Sequence, residues 1–164
     1  MQETPQEYIR RVVGYLEGQE PLAVLKAAPG ELERAVRGLS PERMARRPAP
    51  EAWSITEVLA HLADTELVYG YRIRLILEGG GPPIQGIDQD AWARSGDYAG
   101  QDPALSLEAF RVTRERLVRL LERMPRECWE WHGLHSERGR ETVARVVEML
   151  AGHDLAHLRQ IRGT

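Results

Sequence analysis

The sequence predicts an all-α protein. Apolar residues recur at helical spacing in several separate segments, and helix-start signals stand directly before them. No run of useful length alternates apolar and polar residues with the period of two that a half-buried strand needs, so no sheet is expected. With 164 residues and no fixed-period repeat, the chain fits a single helical domain over 1–164, large enough to bury a core without disulfides.

Residues 5–17 place Tyr8, Ile9, Val12, Val13 and Leu16 on one face, with Pro5 tolerated in a first turn, and predict a short N-terminal amphipathic helix. From Pro21 to Leu39 the pattern returns with Leu22, Leu25, Leu32 and Val36, and Pro29-Gly30 is expected to kink or divide it. Residues 40–52 read as a Ser-Pro helical turn followed by a proline-containing loop. Ser54 and Glu57 have capping-box spacing, so a long helix should run from about Ile55 toward Glu78 with a stripe of Ile55, Leu59, Leu62, Tyr69, Ile73 and Ile76. His61 lies beside that stripe, on a mixed face with Val58, Thr65, Val68 and Arg72 that suits a cavity wall.

Residues 79–102 form a long irregular central connection in which DQDAWAR alone looks helical. Its glycine triplet is no phosphate cradle, since no strand precedes it and no lysine or hydroxyl follows at the required spacing. A third long helix is expected from Pro103 to Met124, capped by Asp102, with Leu107, Phe110, Leu117, Leu120, Leu121 and Met124 on one side. Residues 126–140 read as a loop, and the last helix runs from Thr142 to Ile161 with Val146, Met149, Leu150, His153, His157 and Ile161 facing inward.

Composition narrows the function classes. The net charge of −3 comes from 22 basic and 25 acidic residues that alternate along helix faces, a solvated surface with no footprint for nucleic acid. No apolar run approaches a membrane span, and the N-terminus lacks a signal-like apolar core, so a cytoplasmic protein is expected. Cys128 is the single cysteine, which excludes an intrachain disulfide and suits a reducing compartment; it reads as a small buried hydrophobe rather than a nucleophile.

The chemistry concentrates in HDLAH, where His153 and His157 stand four residues apart on the inward face of the last helix. Two imidazoles one turn apart can reach one metal ion, and His61 on another helix could supply a third nitrogen. Three ligands would leave a coordination position open, as a catalytic site requires. Spacing alone leaves the alternative of core histidines with separate hydrogen-bond partners, because it does not show the two helices to be neighbours. Glu57 and Asp64 lie four before and three after His61, placed to orient it, to act as general base or to supply a further ligand; the alternative for each is a surface carboxylate. Asp154 is expected to face solvent, and His132 and His135 form an HxxH in the loop, from which either could approach the metal or the substrate, although a loop does not fix two ligands as a helix does. Arg72 is a candidate for an anionic substrate group, the alternative being an exposed arginine, and Trp53, Trp129 and Trp131 are expected to pack in the core, with one of them a candidate for the pocket lining.

WSITEVLAHLADTE (53–66), FRVTRERL (110–117) and AGHDLAHLRQI (151–161), in that order around a long central loop, resemble the DinB/YfiT superfamily of metal-binding four-helix bundles. The resemblance implies an up-down-down-up bundle, often a homodimer, with a divalent metal, zinc or nickel, held by His61, His153 and His157. It implies a metal-dependent hydrolase or a thiol-dependent S-transferase, with a small-molecule substrate or a low-molecular-weight thiol as partner. The alternative is a stress-related metal-binding or interaction module without turnover.

Overall fold

The computed structural model describes residues 3–163. Its helices begin where capping chemistry places them. α1 (Pro5–Gly14) opens on a capping box between Thr4 and Glu7, and α2 (Pro21–Val36) opens on the Glu20 carboxylate. α3 (Pro41–Ala45) is capped by Ser40, and α4 (Ile55–Leu77) by the predicted Ser54–Glu57 box. α5 (Gln89–Ser95) and α6 (Pro103–Arg123) begin after Asp88 and Asp102, and α7 (Val143–Gly163) closes the chain.

The four long helices α2, α4, α6 and α7 form a bundle. α2 packs on α6 and α7, and α4 packs on the same two, so α2 and α4 occupy opposite corners. Two apolar clusters fix the directions. One gathers Leu25 from early α2, Ile76 from late α4, Leu121 from late α6 and Val146 from early α7. The other gathers Leu32 from late α2, Ile55 from early α4, Phe110 from early α6 and Ile161 from late α7. α2 and α7 therefore run one way and α4 and α6 the other, which is the up-down-down-up order. α1 is the additional short helix and lies against α7, where a Cβ on Gly152 would come within 2.1 Å of the Val12 carbonyl oxygen.

Pro29 sits inside α2 without dividing it. A proline cannot donate to the carbonyl four residues back, here Leu25. Arg114 of α6 does so instead, donating from Nη1 to the Leu25 carbonyl at 3.2 Å. The same guanidinium is 1% exposed and meets two buried carboxylates, Asp154 of α7 and Glu66 of α4, each at 2.5 Å. The expectation that Asp154 faces solvent is thus corrected: its side chain is buried against Arg114. A charge can enter a core when it is paired and hydrogen-bonded, and the partner lies on a different helix.

A small sheet is the other correction. β1 (Pro83–Ile84) pairs in parallel with β2 (His132–His135), which pairs antiparallel with β3 (Gly139–Thr142). Strands of two to four residues are too short to display a period of two, so the alternation test could not find them. The sheet ties the central connection to the segment before α7, and the connection is further held by α5 and by the buried Tyr98.

Candidate metal centre

His61 sits in the second turn of α4, and His153 and His157 sit one turn apart in the second half of α7. The Arg114 ion cluster bridges α4, α6 and α7 and fixes how α7 is turned against α4, because Asp154 and Glu66 both reach the same guanidinium. With that register set, the three rings converge. His61 Nε2 lies 3.0 Å from His153 Nε2, which lies 3.2 Å from His157 Nε2. One candidate ligand atom from each ring lies within 4.8 Å of the others, and among the described residues no carboxylate or thiolate joins that group.

Three converged ring nitrogens pose a bonding problem. A pair of imidazoles can share one proton, but a third lone pair aimed at the same point is left without a partner. His157 Nδ1 lies 2.9 Å from the Gln160 amide oxygen, an acceptor, so the ring proton sits on Nδ1 and the lone pair on Nε2 faces the cluster. His153 Nδ1 is buried without a hydrogen-bond partner among the described residues. Burial, with the charge of His157 adding to it, holds His61 down to about 3. Burial likewise holds His153 well below the ordinary histidine value, and holds His157 below it too. All three rings are thus neutral near pH 7, the form in which imidazole ligates a metal. Tetrahedral nitrogen ligands on a zinc-sized ion lie about 3.3 Å apart, close to the spacings found here. The donor set fits a divalent metal.

Residues 25–161 match the family profile of the DinB superfamily, most of the chain. This protein belongs to the DinB superfamily. Among its DinB relatives, a candidate metal-dependent hydrolase of Oceanobacillus iheyensis is 27% identical over 143 residues, covering 87% of this chain and 82% of the relative. The Bacillus subtilis protein YfiT, named as a metal-dependent hydrolase of the same candidate standing, is 24% identical over 142 residues, covering 85% of this chain and 79% of YfiT. The solved YfiT structure, described as having an unusual four-helix bundle topology, aligns with a TM-score of 0.78 at 23% identity over 86% of this chain and 83% of YfiT. This DinB chain shares that bundle.

The surroundings of the triad differ from the sequence expectations in several places. Glu57 is buried, but its carboxylate accepts from the Ser54 amide at 2.8 Å and from Arg47 Nε at 3.0 Å, holding the start of α4. Asp64 accepts from the Tyr98 hydroxyl at 2.6 Å. Neither carboxylate joins the three nitrogens. His132 and His135 lie on β2 outside the triad; His135 is buried and accepts the Glu137 amide at Nδ1, at 3.1 Å. Trp53 packs its ring 4.9 Å from that of His61 and 6.2 Å from that of Tyr98, so it belongs to the wall of the centre. Trp131 is 41% exposed and is not a core residue.

A cavity of about 430 Å³ opens beside His61 and His153, lined also by Tyr8, Thr65, Tyr69 and Arg72. A second opening of about 600 Å³ reaches His153 and His157 beside Trp53 and Gln160. Gln160 had a legible signal, since it follows His157 by three residues on the same helix face. Tyr98 had none, because it reaches Asp64 from an irregular connection.

Proposed function

We propose that this chain is a divalent-metal-dependent enzyme of hydrolase type acting on a small molecule, with His61, His153 and His157 as the metal ligands and zinc or nickel as the ion. The convergence of three neutral Nε2 atoms at 3.0 and 3.2 Å carries the reading. The hydrolase type rests on the names of the relatives. The ion, when bound with a position left open, supplies Lewis acidity that polarises a substrate carbonyl and lowers the pKa of a water or thiol toward neutrality.

The chain's own residues do the rest. Gln160 fixes the tautomer of His157, Trp53 restricts the ring of His61, and Thr65 Oγ1, 3.5 Å from His61 Nε2, offers a hydroxyl at the cavity wall. The proton-carrying role expected of Glu57 or Asp64 falls first to Asp64. Both Glu57 oxygens are engaged by Arg47, whereas Asp64 binds Tyr98 through Oδ2 and leaves Oδ1 without a protein partner among the described residues. We place the enzyme in the cytoplasm as a homodimer.

The test is to load the tag-free protein with zinc or nickel and assay ester and amide hydrolysis and conjugation of small thiols. Hydrolysis that is lost on chelation and restored by metal supports the reading. Thiol conjugation alone would reassign the same site to S-transfer, and a metal-loaded protein silent in every assay would favour a binding module. Asp64→Asn should lower turnover while metal remains bound.

A further inference from the structure

We infer that the cavity beside the triad is built for a substrate carrying a carboxylate, bound by Arg72 at the end away from the histidines. The inference rests on the triad being the reacting end of that cavity. Arg72 lies eleven residues after His61 on α4, with Thr65 and Val68 between them along the same wall. It is 5% exposed. Its Nη2 donates to the Gln85 carbonyl at 2.8 Å, and its guanidinium carbon stands 5.4 Å from the centre of the Tyr69 ring. Those are its partners, and no carboxylate among the described residues pairs with it. A guanidinium cannot shed its proton to escape burial, so a buried arginine without a counter-ion leaves one positive charge unmatched.

The neighbouring groups do not supply the missing charge. Glu141 is turned to Arg138, which donates to it from Nε at 2.5 Å and from Nη2 at 3.1 Å. Of the acids along the cavity, Glu3 is bound to Arg11, Asp88 caps α5, and Glu137 is exposed. His135 adds a second unmet donor to this end of the molecule. Its Nδ1 accepts the Glu137 amide, which leaves the ring proton on a buried Nε2 with no acceptor among the described residues. Tyr8 and Tyr69 complete the wall with amphipathic rings. One unmatched guanidinium beside acids at the rim favours a singly charged carboxylate over a dianionic phosphate.

The spacing gives the substrate a length. Eleven residues of helix span about 16 Å, and an arginine folded back over the preceding turn, as the Tyr69 contact shows, brings its head group to about 10 Å from the triad. A compound with its reacting group at one end and its carboxylate several methylenes away would bridge the two.

Calorimetry with three probes tests this: suberic acid monohydroxamate, its methyl ester, and acetohydroxamate, which carries the metal-binding end alone. The acid should bind the zinc-loaded protein at least about ten-fold more tightly than the ester. Arg72→Gln should abolish that preference while acetohydroxamate binding persists, and Arg72→Lys should restore part of it, with thermal unfolding confirming that both variants fold. Equal affinity for acid and ester in the wild type, or a preference that survives Arg72→Gln, would overturn the assignment. The acid-to-ester ratio is read in metal-free protein as well. Failure of acetohydroxamate to bind would therefore sink the metal reading and leave the ratio to decide the carboxylate subsite.

Discussion

His153 carries more of the centre than either other histidine, because its Nε2 stands between the other two. Replacing it with alanine should release the metal, while the far-ultraviolet circular dichroism stays helical, since the α7 core and the Arg114 cluster are untouched. Collapse of the helical signal instead would mark the ion as structural. Gln160 acts through His157, whose proton it holds on Nδ1. Gln160→Ala should weaken metal binding by roughly 10- to 100-fold, measured by competition with a chelator of known affinity, and Gln160→Glu, which keeps the acceptor, should retain most of it.

At the scale of the element, Arg114 joins three helices and substitutes for the helix hydrogen bond that Pro29 cannot make. Arg114→Leu leaves Glu66 and Asp154 buried without their cation, and urea unfolding should show a loss of about 3–5 kcal/mol. Adding Glu66→Leu and Asp154→Leu should return part of that loss, because a buried carboxylate with no partner costs more than an apolar side chain of similar volume. Gly152 is a second joint. A Cβ there meets the Val12 backbone, so Gly152→Ala should displace α1 and cost about 1–3 kcal/mol. Tyr8 of α1 lines the cavity, so the same variant should weaken binding of the suberic acid probe.

For the whole molecule, acid should unfold the metal-free protein through its buried histidines. A histidine held low binds fewer protons folded than unfolded between its two pKa values, so the free energy of unfolding rises with pH across that window and falls as acid is added. The window opens at about 6.5 and runs down to about 3 for His61. Glu66 and Asp154, raised chiefly by burial, act in the opposite sense from their ordinary carboxylate values upward, inside the same window. The comparison of wild type with His61→Gln, by urea unfolding from pH 7 to 4, isolates the histidine contribution: the variant should show the shallower fall.

How much of this architecture was legible in the chain depended on range. The Ser54 cap, the α4 and α7 stripes and the HDLAH pair are written in residues a few positions apart, and local periodicity reveals them. The inward turn of Asp154 was not legible, because it depends on an arginine forty residues away on another helix. Nor was the sheet, whose strands are defined by their partners and not by their own pattern. The commitment of Glu57 to Arg47 was hidden for the same reason, since its capping role was visible and its salt bridge was not.

The central claim is that three histidines from two helices hold one divalent ion. Elemental analysis of the purified, tag-free protein after incubation with zinc and removal of loosely bound metal tests it most directly. About one equivalent per chain in the wild type, falling to background in His153→Ala, is the predicted result. Less than about a tenth of an equivalent in the wild type, or undiminished metal in His153→Ala, would contradict it.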